Sequence, residues 1–108
     1  MTEAEYQASF FKKVALLLPD YNGKKCIIIK NDAGYLQGIP DWTVFYGKLY
    51  VTLEVKRTKD AHRQPNQSYY VSLFRHMAYS SFVYPENEQQ VLSELKEYFK
   101  GETDYAME

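Results

Sequence analysis

Residues 40–56 read PDWTVFYGKLYVTLEVK, two runs of aromatic and β-branched residues on either side of Gly47-Lys48. Runs of this composition are typical of β-strands, and a two-residue link that contains glycine is typical of a hairpin turn. With Gly47-Lys48 as the turn, Asp41 falls directly opposite Glu54. The stretch therefore predicts an antiparallel hairpin that brings two acidic side chains together.

The two faces of this hairpin differ in polarity, because side chains alternate across a strand. Glu54 and Lys56 share one face with Asp41, while the other face is apolar and carries Trp42, Val44, Val51, Leu53 and Val55. Two opposed carboxylates destabilise a sheet unless something compensates for their charge. A hard cation such as Mg²⁺ or Mn²⁺ would do so, because it prefers carboxylate oxygens. Lys56 could then orient a water molecule or stabilise charge on a phosphate.

These residues resemble a known motif. Gly38-Ile39-Pro40-Asp41, the hairpin and Glu54-Val55-Lys56 together resemble the core of the PD-(D/E)XK nucleases, and Gln67 with Tyr70 resembles the Gln-x-x-aromatic signature of the compact VRR-NUC branch. The resemblance covers roughly residues 3–84. It implies an α/β restriction-endonuclease-like fold whose α-β-β-β-α-β core has a mixed sheet and is followed by a C-terminal helix. It also implies a set of roles: Asp41, Glu54 and the Val55 carbonyl as metal ligands, Lys56 as the catalytic lysine, and Gln67 as a residue of the active site.

Residues 3–18 predict the first helix, for which Thr2 and Glu5 form a plausible capping box. Its predicted apolar face consists of Ala4, Ala8, Phe11, Val14, Ala15 and Leu18. Glu3 falls at the margin of that face, whereas Glu5 lies on the opposite flank. Nucleases of the resembled family commonly bring a glutamate from this helix to the metal, so we favour Glu3 over Glu5 as a further ligand. The alternative is that both acids only complement the positive end of the helix.

The rest of the chain predicts the element order α-β-β-β-α-β-α in a single nuclease domain at residues 1–100, with a flexible, frayed tail at 101–108. The second helix is expected to begin at Pro65 or Asn66 and to pack through Val71, Phe74, Met77 and Ala78. The other expected elements are strands at 25–30, 41–46, 49–56 and 81–84 and a third helix at 88–100.

Composition indicates one small intracellular domain. The chain has 108 residues, of which 45% are hydrophobic, enough for one core. Its single cysteine, Cys26, excludes an intrachain disulfide and favours a reduced thiol. We expect no membrane segment and a cytoplasmic location, because no apolar run of about 18 residues and no signal peptide are present.

The net charge of −1 conceals an uneven distribution. Basic residues cluster after the hairpin, whereas acids outnumber bases in residues 85–108. Arg57, Lys59 and Arg63 are therefore expected to contact a DNA backbone, together with Tyr70 on the second helix. An ordinary solvated loop is the alternative.

These features predict a Mg²⁺- or Mn²⁺-dependent DNA endonuclease. So small a chain has little surface for reading bases, so we expect recognition of DNA structure such as a branch, junction or flap. Proteins that resemble the compact branch often pair, which suggests a homodimer. The alternatives are a nuclease-fold DNA-binding module or subunit without independent catalysis, and an interaction protein with a chance motif.

Overall fold

The computed structural model describes residues 1–32 and 34–108. Within them, helices and strands follow one another in the order α-β-β-β-α-β-α-α. The helices are α1 (Glu3–Leu17), α2 (Gln67–Arg75), α3 (Glu88–Tyr98) and α4 (Lys100–Ala106). The strands are β1 (Ile27–Lys30), β2 (Trp42–Tyr46), β3 (Leu49–Val55) and β4 (Tyr79–Val83).

The four strands form one mixed sheet in the order β1-β2-β3-β4. The β1–β2 and β2–β3 pairs are antiparallel, whereas β4 runs parallel to β3. A parallel pair needs a crossover, and α2 supplies it between β3 and β4. The predicted α/β class, with its α-β-β-β-α-β core and mixed sheet, is confirmed.

The hairpin has the predicted register. Tyr46 pairs with Leu49 across the turn, and Trp42 pairs with Leu53 at the far end. Gly47 has a φ of +59°. A positive φ at only the first turn position is the pattern of a type II′ turn, whose twist suits a hairpin. Glycine is needed here also because a Cβ would lie 2.8 Å from the ring of Tyr21.

The core lies between the apolar face of the sheet and the helices α1 and α3. Val51 and Leu53 of the sheet are fully buried with Phe10 of α1 and Phe99 after α3. Helix α2 packs on β3 and β4. None of the helices in residues 1–32 and 34–108 reaches the length and hydropathy that crossing a bilayer requires.

The predicted apolar face of α1 is confirmed at Phe11, Val14 and Leu18 and is wrong at its three alanines. Ala4, Ala8 and Ala15 are exposed, and the buried face consists of Tyr6, Gln7, Phe10, Phe11, Val14 and Leu18. Large aromatic side chains gain more from burial than alanines do, so they determine which side of the helix faces the sheet. Glu3 lies one turn before Gln7 and is therefore on the side of α1 that faces the sheet. The predicted capping box of Thr2 and Glu5 is present.

Two further predictions need correction. Helix α2 ends at Arg75, so Met77 lies beyond it with 61% of its surface exposed and does not pack as expected. The prediction that residues 101–108 form a frayed tail without secondary structure is also wrong, because Lys100–Ala106 forms α4. This helix is tied to the hairpin turn through Glu102, whose carboxylate accepts a hydrogen bond of 2.6 Å from the backbone N–H of Lys48.

Candidate active site

Asp41 and Glu54 lie at the open end of the hairpin. The backbone N–H of Asn31 donates to the Asp41 carbonyl at 2.6 Å, and that of Lys56 donates to the Val83 carbonyl at 2.7 Å. The strand pairing thus extends one residue before the start of β2 and one residue past the end of β3, and it holds both acid-bearing segments in line with the sheet. Asp41 is half-buried and is one residue beyond the Trp42–Leu53 pair, which places it at the position opposite Glu54.

Glu54 is a buried carboxylate whose oxygens have no hydrogen-bond partner. The residue is 1% exposed, and both Oε atoms are buried without a partner among the described residues. The Lys56 ammonium is 3.9 Å from Glu54 Oε2. Burial, and then the charge of Asp41, raise the pKa of Glu54 from 4.5 to about 8, although Lys56 opposes the rise. An unpaired buried charge is costly, so this carboxylate calls for a proton or a cation.

Lys56 lies on the polar face, as the alternation of side chains predicts. Its side chain is 12% exposed, and Nζ donates a hydrogen bond of 3.3 Å to the His62 carbonyl. The ammonium group is therefore held between the loop after β3 and the Glu54 carboxylate. A cation fixed in this way can stabilise negative charge that develops beside it.

A cavity of about 420 Å³ opens over these residues. Asp41, Lys56 and Gln67 line it together, with Gln64 and part of the segment before Asp41. Gln67 is buried, and its Oε1 accepts a hydrogen bond of 2.8 Å from the backbone N–H of Gln64. This bond fixes the amide so that its NH₂ group remains as a donor. The structure thus brings Asp41 and Lys56 of the hairpin and Gln67 of α2 to one cavity, whereas the buried Glu54 is not part of its lining.

Gly38 joins the two sides of this cavity. Its φ is +92°, and a Cβ there would lie 2.7 Å from both the Pro65 carbonyl oxygen and the Asn66 Cβ. An L-amino acid is disfavoured by the backbone conformation and excluded by the contact. The glycine of the Gly-Ile-Pro-Asp segment therefore lets the chain before Asp41 pack directly against the start of α2.

Helix α1 contributes two residues from the apolar side. The negative charge of Glu3 adds to the rise in the Glu54 pKa, which places Glu3 near the site. Glu5 instead accepts from the Thr2 N–H at 2.8 Å, and this cap lowers its pKa. Gln7 donates a hydrogen bond of 3.3 Å from Nε2 to the Val55 carbonyl. Gln7 was not among the predicted site residues, although its position one turn before Phe10, on the buried side of α1, was an available indication.

Similarity to known proteins is found at the level of structure. No protein-family model matches the sequence, and no curated protein matches it. A solved structure of a VRR_NUC domain protein superposes with a TM-score of 0.65 over 93% of this chain and 89% of that chain, at 17% identity. The chain has a VRR-NUC-like fold. Because one fold can host different activities, the chemistry has to be inferred from the site itself.

Several oxygen atoms at Asp41, Glu54 and Val55 of this VRR-NUC-like fold are suitable ligands for a divalent cation. No group of three or more His, Cys, Asp or Glu residues is arranged as a metal site within residues 1–32 and 34–108. However, the orphaned Glu54 carboxylate beside Asp41 offers the oxygen ligands that Mg²⁺ and Mn²⁺ prefer. The Val55 carbonyl keeps a second lone pair while Gln7 donates to it, so it too can serve as a ligand. These residues fit the predicted cation.

The basic residues after β3 differ in their surroundings. Arg57 and Lys59 are exposed, and neither forms a salt bridge with any residue that the structure describes. The Arg63 guanidinium instead lies 3.8 Å from the Phe82 ring centroid and donates to Ser68 Oγ at 3.1 Å. Tyr70 is half-buried, with its ring 5.1 Å from that of Tyr69. All three basic residues are exposed, and Arg63 differs in that its guanidinium is already engaged within the fold.

Proposed function

We propose that this protein is a Mg²⁺- or Mn²⁺-dependent DNA endonuclease. Asp41 and Glu54 would hold the cation, with the Val55 carbonyl and Glu3 as further ligands. The observation that supports this proposal is the buried Glu54 carboxylate, which stands beside a second acid and has no hydrogen-bond partner in the part of the chain that the structure describes. A buried carboxylate of this kind lowers the stability of the fold, so its presence indicates a function.

The residues around the cation would act on a phosphodiester. The bound cation supplies Lewis-acid stabilisation of charge on the phosphoryl oxygens. Lys56, fixed by the His62 carbonyl, would stabilise the same developing charge from the cavity wall. The NH₂ group of Gln67 would donate to a phosphate oxygen or to the attacking water.

DNA would approach over the loop that follows β3. Arg57 and Lys59 would contact phosphates on either side of the cavity, with Arg63 and Tyr70 further along the same surface. Contacts to phosphates carry no base sequence, so selectivity would come from the structure of the DNA, such as a branch, junction or flap.

A homodimer would present two active sites to such a substrate. Strand β1 is an edge of the sheet, and Ile27 and Ile29 on it are 60% and 43% exposed. An apolar edge strand is a ready site for pairing with a second copy. Sedimentation velocity checks this directly: Ile29→Lys should shift the wild-type dimer to a monomer. A wild-type chain that is monomeric at high concentration would rule the dimer out.

A second candidate function is a nuclease-fold DNA-binding module or subunit without catalysis of its own. Within residues 1–32 and 34–108, no group of three or more His, Cys, Asp or Glu side chains is arranged to hold a metal ion, and this favours the second candidate. This candidate requires DNA binding with no cleavage at any concentration of cation.

The deciding experiment combines metal titration with cleavage. Purified protein is titrated calorimetrically with Mg²⁺ and Mn²⁺, and is incubated with duplex, single-stranded, flap and four-way-junction DNA. We expect cation binding that Glu54→Gln removes, and cleavage that requires the cation and is lost in Lys56→Ala. DNA binding without cleavage would support the binding module, and failure to bind either cation or DNA would contradict both candidates.

A further inference from the structure

A second cavity borders the proposed active site. It encloses about 310 Å³ between α2 and the polar face of the sheet. Ile39 lines both this groove and the cavity that contains Asp41 and Lys56, and Pro40, the residue before Asp41, forms part of its wall. A ligand in the groove would therefore be next to a phosphate bound at Asp41.

Three aromatic residues form the other walls of this groove. Phe45 of β2, Tyr50 of β3 and Phe74 of α2 line it, and the rings of Phe45 and Tyr50 are 6.0 Å apart. Phe45 is 41% exposed, although it stands on a sheet strand next to a helix. Aromatic rings left open to solvent in a concave site are suited to a flat, partly apolar ligand.

A nucleobase is the occupant that fits these walls and this position. Bases stack on aromatic side chains regardless of sequence, and the groove lies next to the phosphate site. Asn31 also lines the groove, where Nδ2 donates both of its N–H groups, to the Pro40 carbonyl and to Thr43 Oγ1. The amide is thus held in place, and its Oδ1 can accept a hydrogen bond from the edge of a base. A base inside an intact duplex is stacked on both faces and cannot enter.

We propose that this groove, termed the aromatic groove and walled by Phe45, Tyr50 and Phe74, binds an unpaired nucleobase beside the scissile phosphate. The substrate class would then be DNA with an unpaired or extrahelical nucleotide next to the cut, such as a flap or bulge. This inference rests on the proposed endonuclease function. It gives selectivity for DNA structure a physical cause, because only an unpaired base fills the groove.

The test compares two fluorescein-labelled oligonucleotides that differ in one unpaired nucleotide: a perfect duplex and a duplex with a single-nucleotide bulge. Anisotropy is measured with the full chain in Ca²⁺, another cation that binds carboxylate oxygens. We expect Phe45→Ala and Tyr50→Ala each to weaken binding of the bulged DNA roughly five- to a hundredfold and to leave the perfect duplex nearly unchanged. Tyr50→Phe keeps the ring and should bind as wild type does.

Tyr105→Ala is the matched control, because Tyr105 is a half-exposed aromatic residue on α4, outside the groove. Its binding of both oligonucleotides should equal that of the wild type. Equal weakening of the bulged and perfect duplexes by Phe45→Ala, or no weakening at all, would overturn the proposal. A change of Phe45→Ala from dimer to monomer in sedimentation would show that a second copy occupies the groove, and would overturn it as well.

Cleavage assays separate this inference from the function on which it rests. If the wild type cuts DNA with Mg²⁺ but shows no preference for unpaired nucleotides, the aromatic groove is not a base site and the endonuclease remains. If Phe45 and Tyr50 govern binding of the bulge but no DNA is cut, the groove stands and catalysis is absent.

Discussion

Glu54 and Glu88 are both buried glutamates, yet their carboxylates have opposite surroundings. Glu88, at the start of α3, accepts a hydrogen bond from Tyr6 Oη at 3.1 Å and forms a 2.6 Å salt bridge with Lys13. Glu54 is more deeply buried, has no hydrogen-bond partner among residues 1–32 and 34–108, and is 3.9 Å from its nearest ammonium group. Helix α1 contributes to the surroundings of both acids. Its Tyr6 and Lys13 bind the Glu88 carboxylate, whereas the negative charge of Glu3 adds to the rise in the Glu54 pKa.

The contrast separates a structural acid from a candidate functional acid. At Glu88 the fold supplies every contact that a charged carboxylate needs, and the result ties α1 to α3. At Glu54 the fold places a second acid nearby and supplies too little positive charge. A buried polar group that a protein leaves unsatisfied marks a place where an external ligand can complete the interactions.

The largest expected effect comes from exchanging each buried acid for its amide. Glu54→Gln should lower cleavage at least about a thousandfold, roughly 4 kcal/mol of transition-state stabilisation, while the fold stays at least as stable because the neutral amide needs neither a proton nor a cation. Asp41→Asn and Lys56→Ala should lose activity similarly. Cleavage rates and urea unfolding of each variant check this.

Glu88→Gln is the matched control for Glu54→Gln. It should cleave as the wild type does but lose about 1–3 kcal/mol of stability, because Lys13 is left without its charged partner. The distinction between the two acids fails if Glu54→Gln unfolds the protein or Glu88→Gln abolishes cleavage.

A smaller effect is expected from residues that support Glu54 from the helices. Glu3→Ala and Gln67→Ala should each lower activity about ten- to a thousandfold, or about 1.4–4 kcal/mol, with a melting temperature close to that of the wild type. Glu5→Ala removes half of the capping box and should lower stability slightly without affecting cleavage. An active Glu3→Ala with an inactive Glu5→Ala would reverse the assignment of these two acids.

Stability should depend on pH through Glu54. The folded protein keeps the Glu54 proton up to a pKa of about 8, whereas the unfolded chain releases it near 4.5. Between these values the folded state binds more protons, so the free energy of unfolding should fall by a few kcal/mol as pH rises from 4.5 to 8 without divalent cations. Urea unfolding at several pH values measures the slope.

Glu54→Gln should remove most of this slope, and Glu88→Gln should retain it. A wild-type chain whose stability is flat from pH 4.5 to 8, or rises, would show that Glu54 is already charged in the metal-free fold. Added Mg²⁺ should reduce the slope in the wild type, because cation binding favours the charged carboxylate.

The smallest expected effects concern basic residues, and they distinguish those that bind DNA from those that stabilise the fold. Arg57→Ala and Lys59→Ala should each weaken DNA binding uniformly across base sequences and reduce the slope of log affinity against log salt by roughly one. Lys13→Ala removes an equal charge but should change stability and leave the salt slope unchanged. Equal effects of the three variants on DNA would show that only net charge matters.

Local patterns in the sequence were enough to predict the hairpin. Alternating side chains, β-branched runs and the Gly47-Lys48 turn fix register through neighbouring residues, so the Trp42–Leu53 pairing followed from them. The placement of Asp41 at the position opposite Glu54 came from the same pattern. The capping box of Thr2 and Glu5 is equally local, since it depends on residues within one helical turn.

Predictions failed where distant residues decide the outcome. Residues 101–108 look like a tail because they are polar and include glycine, but Glu102 is held by Lys48 and Tyr21, which are far away in sequence. The face of α1 was predicted wrongly at its alanines because they fitted the helical period as well as its aromatic residues did. Gln7 was missed since its partner, the Val55 carbonyl, is a backbone atom that no sequence pattern reveals.

The close contact at Gly38 has a consequence for how the two sides of the cavity can move. Backbone atoms of the segment before Asp41 meet backbone and Cβ atoms of Pro65 and Asn66, and such atoms cannot rotate out of the way as a long side chain can. The segment before Asp41 and the start of α2 therefore cannot move any closer together. A methyl group at position 38 would push the two segments apart. It would thereby increase the distance between Asp41 and Gln67 without contacting either side chain.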